Sequence, residues 1–375
     1  MTTLVVLGVT GSIGRQAIEV AADLGLEVTA MASHRGDERF EAIADRHPDA
    51  RLAVAQPDDR DRLSRRYADR VTFGPEAVTA LAAEPGRLVL NGVVGFAGLD
   101  ATLAALAAGN RLALANKESL VAAGPLVMGA LATGGELIPV DSEHSAIHQC
   151  LVGEPFAAVR RLVLTASGGP FRGRSRAELA GVTPAEALAH PTWDMGARIT
   201  VDSATLVNKG LEVIEAHHLF GVTLEQVEVV VHPESIVHSL VEFVDGSLKA
   251  HLGEPDMRVP IAYALTHPAR APLREAFTLA GRTLHFEEPD REVFPALDLA
   301  YAAAAASGGA PAAFNAADEV AVAAFLDGRL PFLAIPAVIE SVLEHIGAPP
   351  IPDVAAVRAV DAEARSLAGD LIGSA

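Results

Sequence analysis

The chain has 375 residues, half of them hydrophobic but only 5% aromatic, so its cores are built mainly from Ala, Val and Leu and are expected to divide among two or three domains. A formal net charge of −19 without any Lys/Arg run leaves no basic surface for nucleic acid or for an anionic membrane face. One cysteine, Cys150 in the apolar stretch Ala146–Val152, excludes an intramolecular disulfide and fits a reducing, cytoplasmic setting.

No signal peptide is evident at the N-terminus, and no stretch reaches the roughly 18 apolar residues of a membrane span. Over the first 140 residues, apolar runs at Leu4–Leu7, Glu27–Met31, Leu52–Ala55, Leu88–Leu90, Arg111–Ala115 and Glu136–Val140 alternate with Ala-rich helical stretches. Six strands spaced this way predict an α/β, Rossmann-like doubly wound parallel sheet. The first strand runs into Gly8-Val9-Thr10-Gly11-Ser12-Ile13-Gly14 and then a helix. Glycines at this turn let backbone N–H groups approach a pyrophosphate at the helix N-terminus. A plain Gly-rich turn is the competing reading, but the place of the loop in the first βα unit favours a dinucleotide. The second strand ends in Ala32-Ser33-His34-Arg35-Gly36, without the carboxylate that NAD enzymes set against the ribose. Arg35 there suits a 2′-phosphate, which favours NADPH, unless it is only a solvated surface residue.

Strand Leu137–Val140 ends at Asp141-Ser142-Glu143-His144, at the end of a parallel strand that faces the ligand crevice. Two carboxylates at such a turn can converge on a hard cation. They can equally cap the following helix and complement its dipole. From Asp141 the rhythm changes. Strand-like runs at Arg161–Thr165, Val227–Val231, Ile236–Phe243 and Ser247–His251, with a hairpin signal at Asp245-Gly246, predict an α+β domain whose sheet is partly antiparallel. Within it, Thr165–Phe171 follows a strand and offers N–H groups and the Ser167 hydroxyl to an anion. His190–Gly196 holds the only tryptophan, Trp193, in a Pro/Gly-bounded loop, set either to close over a ligand or to anchor the loop. In Val201–Glu212, Ser203 reads as a helix N-cap, and Asn208, Lys209 and Glu212 fall on one helix face. That face is either a ledge for a phosphate and a metal or a charged stripe turned to solvent.

The stretch His267–Asp290 reads as a linker, and Ala296–Ser307, Ala310–Leu326, Ile335–Ile346 and Val354–Ala368 predict a C-terminal helix bundle. The expected organisation is a cofactor domain at 1–140, a catalytic domain at 141–266, a linker at 267–290 and a helical domain at 291–375.

Taken together, Gly8–Gly14, Asn116-Lys117-Glu118, Pro139–His144, Ser167–Phe171, His190–Gly196, Val201–Glu212, His232–Ser239, Leu252–Arg258 and Asn315–Phe325 span nearly the whole chain. In these segments and their order the chain resembles the 1-deoxy-D-xylulose 5-phosphate reductoisomerases of non-mevalonate isoprenoid synthesis. The resemblance implies an NADPH- and metal-dependent rearrangement and reduction of a small sugar phosphate, carried out by a homodimer. It implies that Asp141, Glu143 and Glu212 bind Mg²⁺ or Mn²⁺, and that Ser167, Ser203, Asn208 and Lys209 hold the substrate phosphate. Ser142, Lys117 and His238 would meet the rest of the substrate, under a flap carrying His190 and Trp193. Lys117, Glu143, His190 and Glu212 would be the catalytic set. NADPH would lie against Gly8, Thr10, Gly11, Ser12, Ile13, Gly14, Ser33, Arg35, Asn116, Glu118 and Gly196, with Met257 near the nicotinamide. Ser33-His34-Arg35 departs from the family's Gly-Lys-Asn-like turn, and Asp318 stands where an Asn is usual, with a small structural effect expected. Two other readings use the same glycine loop. A semialdehyde-type NADP dehydrogenase would need Cys150 as nucleophile, and a non-catalytic NADP sensor would need neither metal nor phosphate site.

Overall fold

The computed structural model describes residues 3–193, 195–273 and 277–373, which group into two compact units. Asp194 of the tryptophan loop and positions 274–276 of the expected linker lie outside the described residues.

The first unit comprises residues 3–119, 127–145 and 256–273. It is built on seven strands: β1 (Thr3–Leu7), β2 (Glu27–Ser33), β3 (Arg51–Val54), β4 (Val71–Phe73), β5 (Leu88–Asn91), β6 (Arg111–Leu114) and β7 (Glu136–Pro139). Their order is β4-β3-β2-β1-β5-β6-β7, and every pairing is parallel. Winding reverses between β1 and β5, which opens a crevice at the carboxyl end of β1. Strand residues such as Leu4 to Leu7 are fully buried, because helices cover both faces of a parallel sheet and no polar face is needed. The seventh strand, β4, was not among the six expected. Its three residues follow the charged helix Arg60–Tyr67 and carry too short an apolar signal to stand out.

The helices between these strands are α1 (Ser12–Asp23), α2 (Glu38–Ala44), α3 (Arg60–Tyr67), α4 (Pro75–Ala82), α5 (Leu99–Ala107) and α6 (Lys117–Leu131), and α7 (Ser142–Leu151) follows β7. A helix from much later in the chain, Arg258–Thr266 (α12), also belongs here: it packs on α1, β6 and β7 and buries Ile261 to Leu265 in the same core. That run is apolar nearly all round, so it needs cover on more than one side. Boundaries drawn in chain order set it with the middle segment instead.

The second unit comprises residues 120–126, 146–255 and 277–373. Strands β8 (Val159–Ala166), β9 (Val227–Val231), β10 (Val237–Phe243) and β11 (Leu248–Leu252) form a sheet of order β11-β10-β8-β9. β10 runs antiparallel to both β11 and β8, while β8 and β9 are parallel. Asp245 closes the β10–β11 turn by accepting from the Ser247 N–H (2.9 Å), and Gly246 takes a φ of +84°. Part of the expected linker also joins this sheet: Glu287 bridges Val231, and Phe286 stacks on His232 with ring centres 4.7 Å apart.

Helices of this unit are α8 (Arg176–Leu179), α9 (Pro184–Ala187), α10 (Ala197–Thr205), α11 (Val207–Phe220), α13 (Ala296–Ala306), α14 (Ala310–Leu326), α15 (Ile335–Ile346) and α16 (Val354–Gly373). α14 is buried along most of its length and packs on both α15 and α16, so it is the axis of the helical bundle. α11 packs on α13 so closely that a Cβ at Gly210 would lie 2.5 Å from the Cβ of Ala300. Gly210→Ala is therefore expected to destabilise the chain by about 1–3 kcal/mol through overpacking, read as a lower urea midpoint. An unchanged midpoint would mean that these helices part freely.

Candidate active site

β1 ends at Gly8, where φ is +79° and a Cβ would collide with the carbonyl oxygen of Gly92. A Cβ at Gly14 would collide with the Gly8 carbonyl oxygen. Both glycines are thus demanded by close backbone passage, one by the loop after β5 and one by α1 starting hard against its own turn. Gly11 is the N-cap of α1 and no side chain caps that helix, so its first N–H groups stay available to an anion. Thr10, Ser12 and Ile13 are half-buried around this mouth.

Register pairs Leu7 with Ala32, which brings the end of β2 beside the glycine loop. Ser33 Oγ accepts from the Gly36 N–H (3.2 Å), while Arg35 is exposed and only loosely paired with Asp58 at 3.5 Å. Such a surface pair is weak enough for Arg35 to turn to a ligand phosphate. Asn116 caps α6 by accepting from the Ser119 N–H and donates to the carbonyls of Val93 and Gly95, both at 2.8 Å. Glu118 accepts from the Gly95 N–H at 3.0 Å. Both residues are buried and staple the 93–95 loop, which leads on from the Gly92 that Gly8 touches.

At the end of β7, Asp141 Oδ1 accepts from the backbone N–H of Glu143 (3.1 Å) and His144 (3.3 Å), capping α7. The same oxygen lies 2.9 Å from His144 Nδ1, and Oδ2 lies 3.0 Å from Lys117 Nζ. The capping reading of this acid holds for one carboxylate oxygen, while the other faces a buried ammonium. Ser142 Oγ donates to Glu143 Oε2 at 2.7 Å. His144 had no role assigned from sequence, although its spacing of three from Asp141 on a helix was the available signal.

In the second unit, His190 Nδ1 accepts from the N–H groups of Thr192 (3.1 Å) and Trp193 (2.9 Å). The ring proton of the neutral imidazole is then on Nε2, which donates to Ser167 Oγ at 2.9 Å. Burial holds His190 below its ordinary pKa, favouring this neutral form. Ser167 Oγ also accepts from the Gly169 N–H (3.2 Å), so its own hydrogen is directed to a further acceptor, as anion binding requires. Gly169 has a φ of +68°, and a Cβ there would lie 2.7 Å from the Ser203 carbonyl oxygen. That contact seats the Ser167 loop directly on α10 at Ser203, a close approach that the sequence did not mark.

Ser203 is not an N-cap. It lies inside α10, and the cap of the next helix is Leu206, in left-handed conformation at φ +62°. This tight kink lets α11 begin two residues after α10 ends and carries Asn208 and Lys209 close in sequence behind Ser203. Lys209 is 4% exposed and Glu212 1%, which eliminates a solvated stripe. Lys209 Nζ pairs with Glu212 Oε2, and Asn208 Nδ2 donates to Glu212 Oε1 at 2.6 Å. Trp193 stands 6.3 Å, ring centre to ring centre, from His238, which in turn is 5.7 Å from His251. Gly196 is the exposed N-cap of α10, and Met257 packs against the core of the first unit.

A family model described as 1-deoxy-D-xylulose 5-phosphate reductoisomerase matches residues 4–124. One described as the C-terminal domain of that enzyme matches 137–220, and one described as DXP reductoisomerase C-terminal domain matches 252–367. The 1-deoxy-D-xylulose 5-phosphate reductoisomerase of Xanthomonas campestris pv. campestris (strain 8004) is 52% identical over 374 residues, covering 96% of this chain and 94% of that protein. The chain belongs to the 1-deoxy-D-xylulose 5-phosphate reductoisomerase family.

A further reductoisomerase, from Geobacillus sp. (strain WCH70), is 47% identical over 99% of this chain and 100% of its own length. Among solved structures, the reductoisomerase of Zymomonas mobilis in complex with NADPH superposes with a TM-score of 0.91 at 41% identity, covering 100% of each chain. A DOX-P reductoisomerase in complex with NADPH, fosmidomycin and magnesium gives 0.94 at 36% identity, covering 100% of this chain and 98% of that one. A semialdehyde-type dehydrogenase would need a thiolate, but Cys150 is 3% exposed and burial pushes its thiol up to about 11.

Burial likewise holds His238 down, to about 4, with the charge of His251 adding to the effect. The unfolded chain, with histidine near its ordinary 6.5, then binds more protons than the folded one between these values. Stability is full above about pH 6.5 and falls as the pH drops toward 4. His238→Asn is expected to remove up to about 3 kcal/mol of that fall, seen as a flatter dependence of the urea midpoint on pH. An identical slope in the variant would assign the loss to other groups.

Proposed function

We propose that this chain converts 1-deoxy-D-xylulose 5-phosphate to 2-C-methyl-D-erythritol 4-phosphate, using NADPH and Mg²⁺ or Mn²⁺. The observation that carries this reading is the buried Lys209–Glu212 pair, with half-buried Asn208 on the same face, on the helix that follows Ser203, against which the Ser167–Gly169 loop is seated. A dry ammonium and an oriented amide on the helix that follows Ser203, with the Ser167 loop seated on the Ser203 backbone through Gly169, suit a phosphate. Relatives solved with NADPH, with fosmidomycin and with magnesium support the cofactor and metal assignments.

In this reading Asp141, Glu143 and Glu212 hold the metal, since hard divalent cations take carboxylate oxygens. Lys117 and His144 orient Asp141, and Lys209 and Asn208 orient Glu212. When bound, the ion supplies Lewis acidity to the substrate oxygens and NADPH supplies the hydride. Ser167, Ser203, Asn208 and Lys209 grip the phosphate, and Ser142, Lys117 and His238 meet the rest of the sugar. His190, neutral with its proton on Nε2, keeps the Ser167 hydroxyl aimed outward. Trp193 closes over the bound substrate and excludes water. The glycine loop with Thr10 to Ile13, Ser33, Arg35, Asn116, Glu118 and Gly196 holds NADPH, with Met257 by the nicotinamide. By role, residues 1–140 serve the cofactor, 141–266 the catalysis and 291–375 the helical support with 267–290 leading to it, although α12 packs with the first unit and Glu287 with the second sheet.

A homodimer fits the second sheet. β11 is its edge strand, and Val152, Phe156, Val244 and Leu248 are exposed hydrophobics around the β10–β11 turn. The Val244 N–H bonds Ala158, and Lys249 pairs with Glu154, so these residues form one neighbourhood. An open edge beside apolar side chains is a template for pairing with a second copy. A cytoplasmic setting suits the unpaired Cys150. Among the described residues, no helix is long and apolar enough to cross a membrane.

The direct check is NADPH absorbance with 1-deoxy-D-xylulose 5-phosphate, first with Mn²⁺ and then with EDTA. Oxidation should require both sugar phosphate and metal, and Glu212→Gln should lower turnover by a factor of about 10² or more while NADPH binding persists. Binding of NADPH without oxidation under any metal would return the sensor reading. For assembly, Val244→Lys with Leu248→Lys should elute as a monomer in size-exclusion chromatography where the parent elutes as a dimer. A dimer in the double variant would move the interface elsewhere.

A further inference from the structure

Resting on the phosphate cradle proposed above, we infer that Arg198 is a positioning residue for the phosphate end of the substrate, acting through the setting of α10. Arg198 is the second residue of α10. The helix is nine residues long and has no side-chain cap, so it depends on tertiary contacts to hold its place. Its start is marked by the Gly196 carbonyl, which accepts from the Thr200 N–H (3.1 Å) and hydroxyl (2.9 Å). Toward its end lies Ser203, against which Gly169 and the Ser167 loop are seated.

One guanidinium fixes this helix to the bundle. Arg198 reaches Glu319 Oε1 and Asn315 Oδ1 at 2.9 Å each, Asp318 Oδ2 at 3.2 Å and, on its own helix, Asp202 Oδ2 at 3.5 Å. Asn315, Asp318 and Glu319 lie at i, i+3 and i+4, one face of α14. Asn315 also donates to Glu319 Oε1 at 3.1 Å. Glu319 Oε2 is held from behind by Arg365 at 2.7 Å, and Arg365 is paired in turn with Asp361 on α16. Asp318 is 0% exposed, so a fully buried carboxylate faces Arg198.

A buried ionic cluster is a poor source of net stability, because desolvation offsets the attraction. Its planar, multidentate geometry is what it supplies: the fork fixes both distance and angle. Arg198 and Asp202 sit four residues apart and share the face turned to α14, while Ser203 lies about 100° further round the helix. Holding that face therefore holds the angular setting of Ser203 and, through Gly169, of the Ser167 loop.

The test is steady-state kinetics on the full-length dimer or monomer as purified, with Arg198→Met, Arg198→Lys and Ser203→Ala. Arg198→Met should raise KM for 1-deoxy-D-xylulose 5-phosphate by about tenfold while KM for NADPH stays within about twofold, with Arg198→Lys between it and the parent. Should Arg198→Met fail to fold, a selective rise in the sugar phosphate KM of Arg198→Lys carries the test. Folded variants with a lower thermal midpoint but both KM values unchanged, or with both raised together, would overturn the inference. If Ser203→Ala raises the sugar phosphate KM and the Arg198 variants do not, this inference alone falls. If Ser203→Ala has no effect either, the phosphate cradle falls and takes the inference with it.

Discussion

The burial of charge at Lys209 and Glu212 is the constraint on which the second unit depends. With 4% and 1% of their surfaces exposed, the ammonium and the carboxylate have lost most of their hydration, and each is tolerable only beside the other. Replacing such a pair with apolar residues of similar volume commonly costs nothing, so stability does not account for its presence. What the pair gives is a fixed local field in a dry place, where electrostatic forces on a ligand are strongest. Asp141 with Lys117 repeats the device at the end of β7 in the first unit, again with both partners largely buried. Fields of this kind act only if their bearers do not move, and the packing around them is built accordingly.

That packing relies on glycine as a means of bringing backbones together. Gly8 and Gly14 let the glycine loop after β1, the β5 loop and α1 converge. Gly169 seats a loop on α10, and Gly210 lets α11 lie against Ala300. At each position a methyl group would meet an atom that cannot retreat. Leu206 does the opposite work: a bulky residue held at φ +62° stores local strain in return for a kink that joins two site-bearing helices without a loop between them. The Arg198 cluster then ties the first of those helices to α14 and α16, which gives the C-terminal bundle a reason to be attached to this site at all.

Much of this was legible in the sequence, and the losses have physical causes. Alternation of apolar runs with Ala-rich helices marked six strands of the first sheet, because a parallel sheet buried on both faces writes a continuous apolar signal. It could not mark β4, where three residues carry the whole element, nor α12, whose place depends on contacts distant in the chain. The i,i+3 and i,i+4 spacing of Asn208, Lys209 and Glu212 put them on one face, but spacing is silent about whether that face is wet. Ser203 looked like a cap because Ser is chemically suited to capping; the true boundary is a left-handed Leu, which no propensity scale would choose. Gly169 and Arg198 were invisible for the same reason. Their roles exist only in relation to groups brought beside them by folding.

The overall charge of −19 bears on the same point. A protein so acidic gains nothing from long-range attraction of a phosphate-bearing ligand, and screening at cellular ionic strength removes most of what repulsion remains beyond about 8 Å. Recognition must then be local, made by a few donors whose directions are set in advance. In the proposed cradle Ser167 meets that requirement, because His190 and Gly169 occupy the accepting side of its oxygen and leave the hydrogen to point away from both. Lys209 meets it differently, with a charge already half-answered by Glu212, so that its preference for a second anion depends on geometry more than on net attraction. In such a site a donor displaced by an ångström is a donor lost, and the distant contacts that fix α10 and α11 become part of the chemistry they never touch.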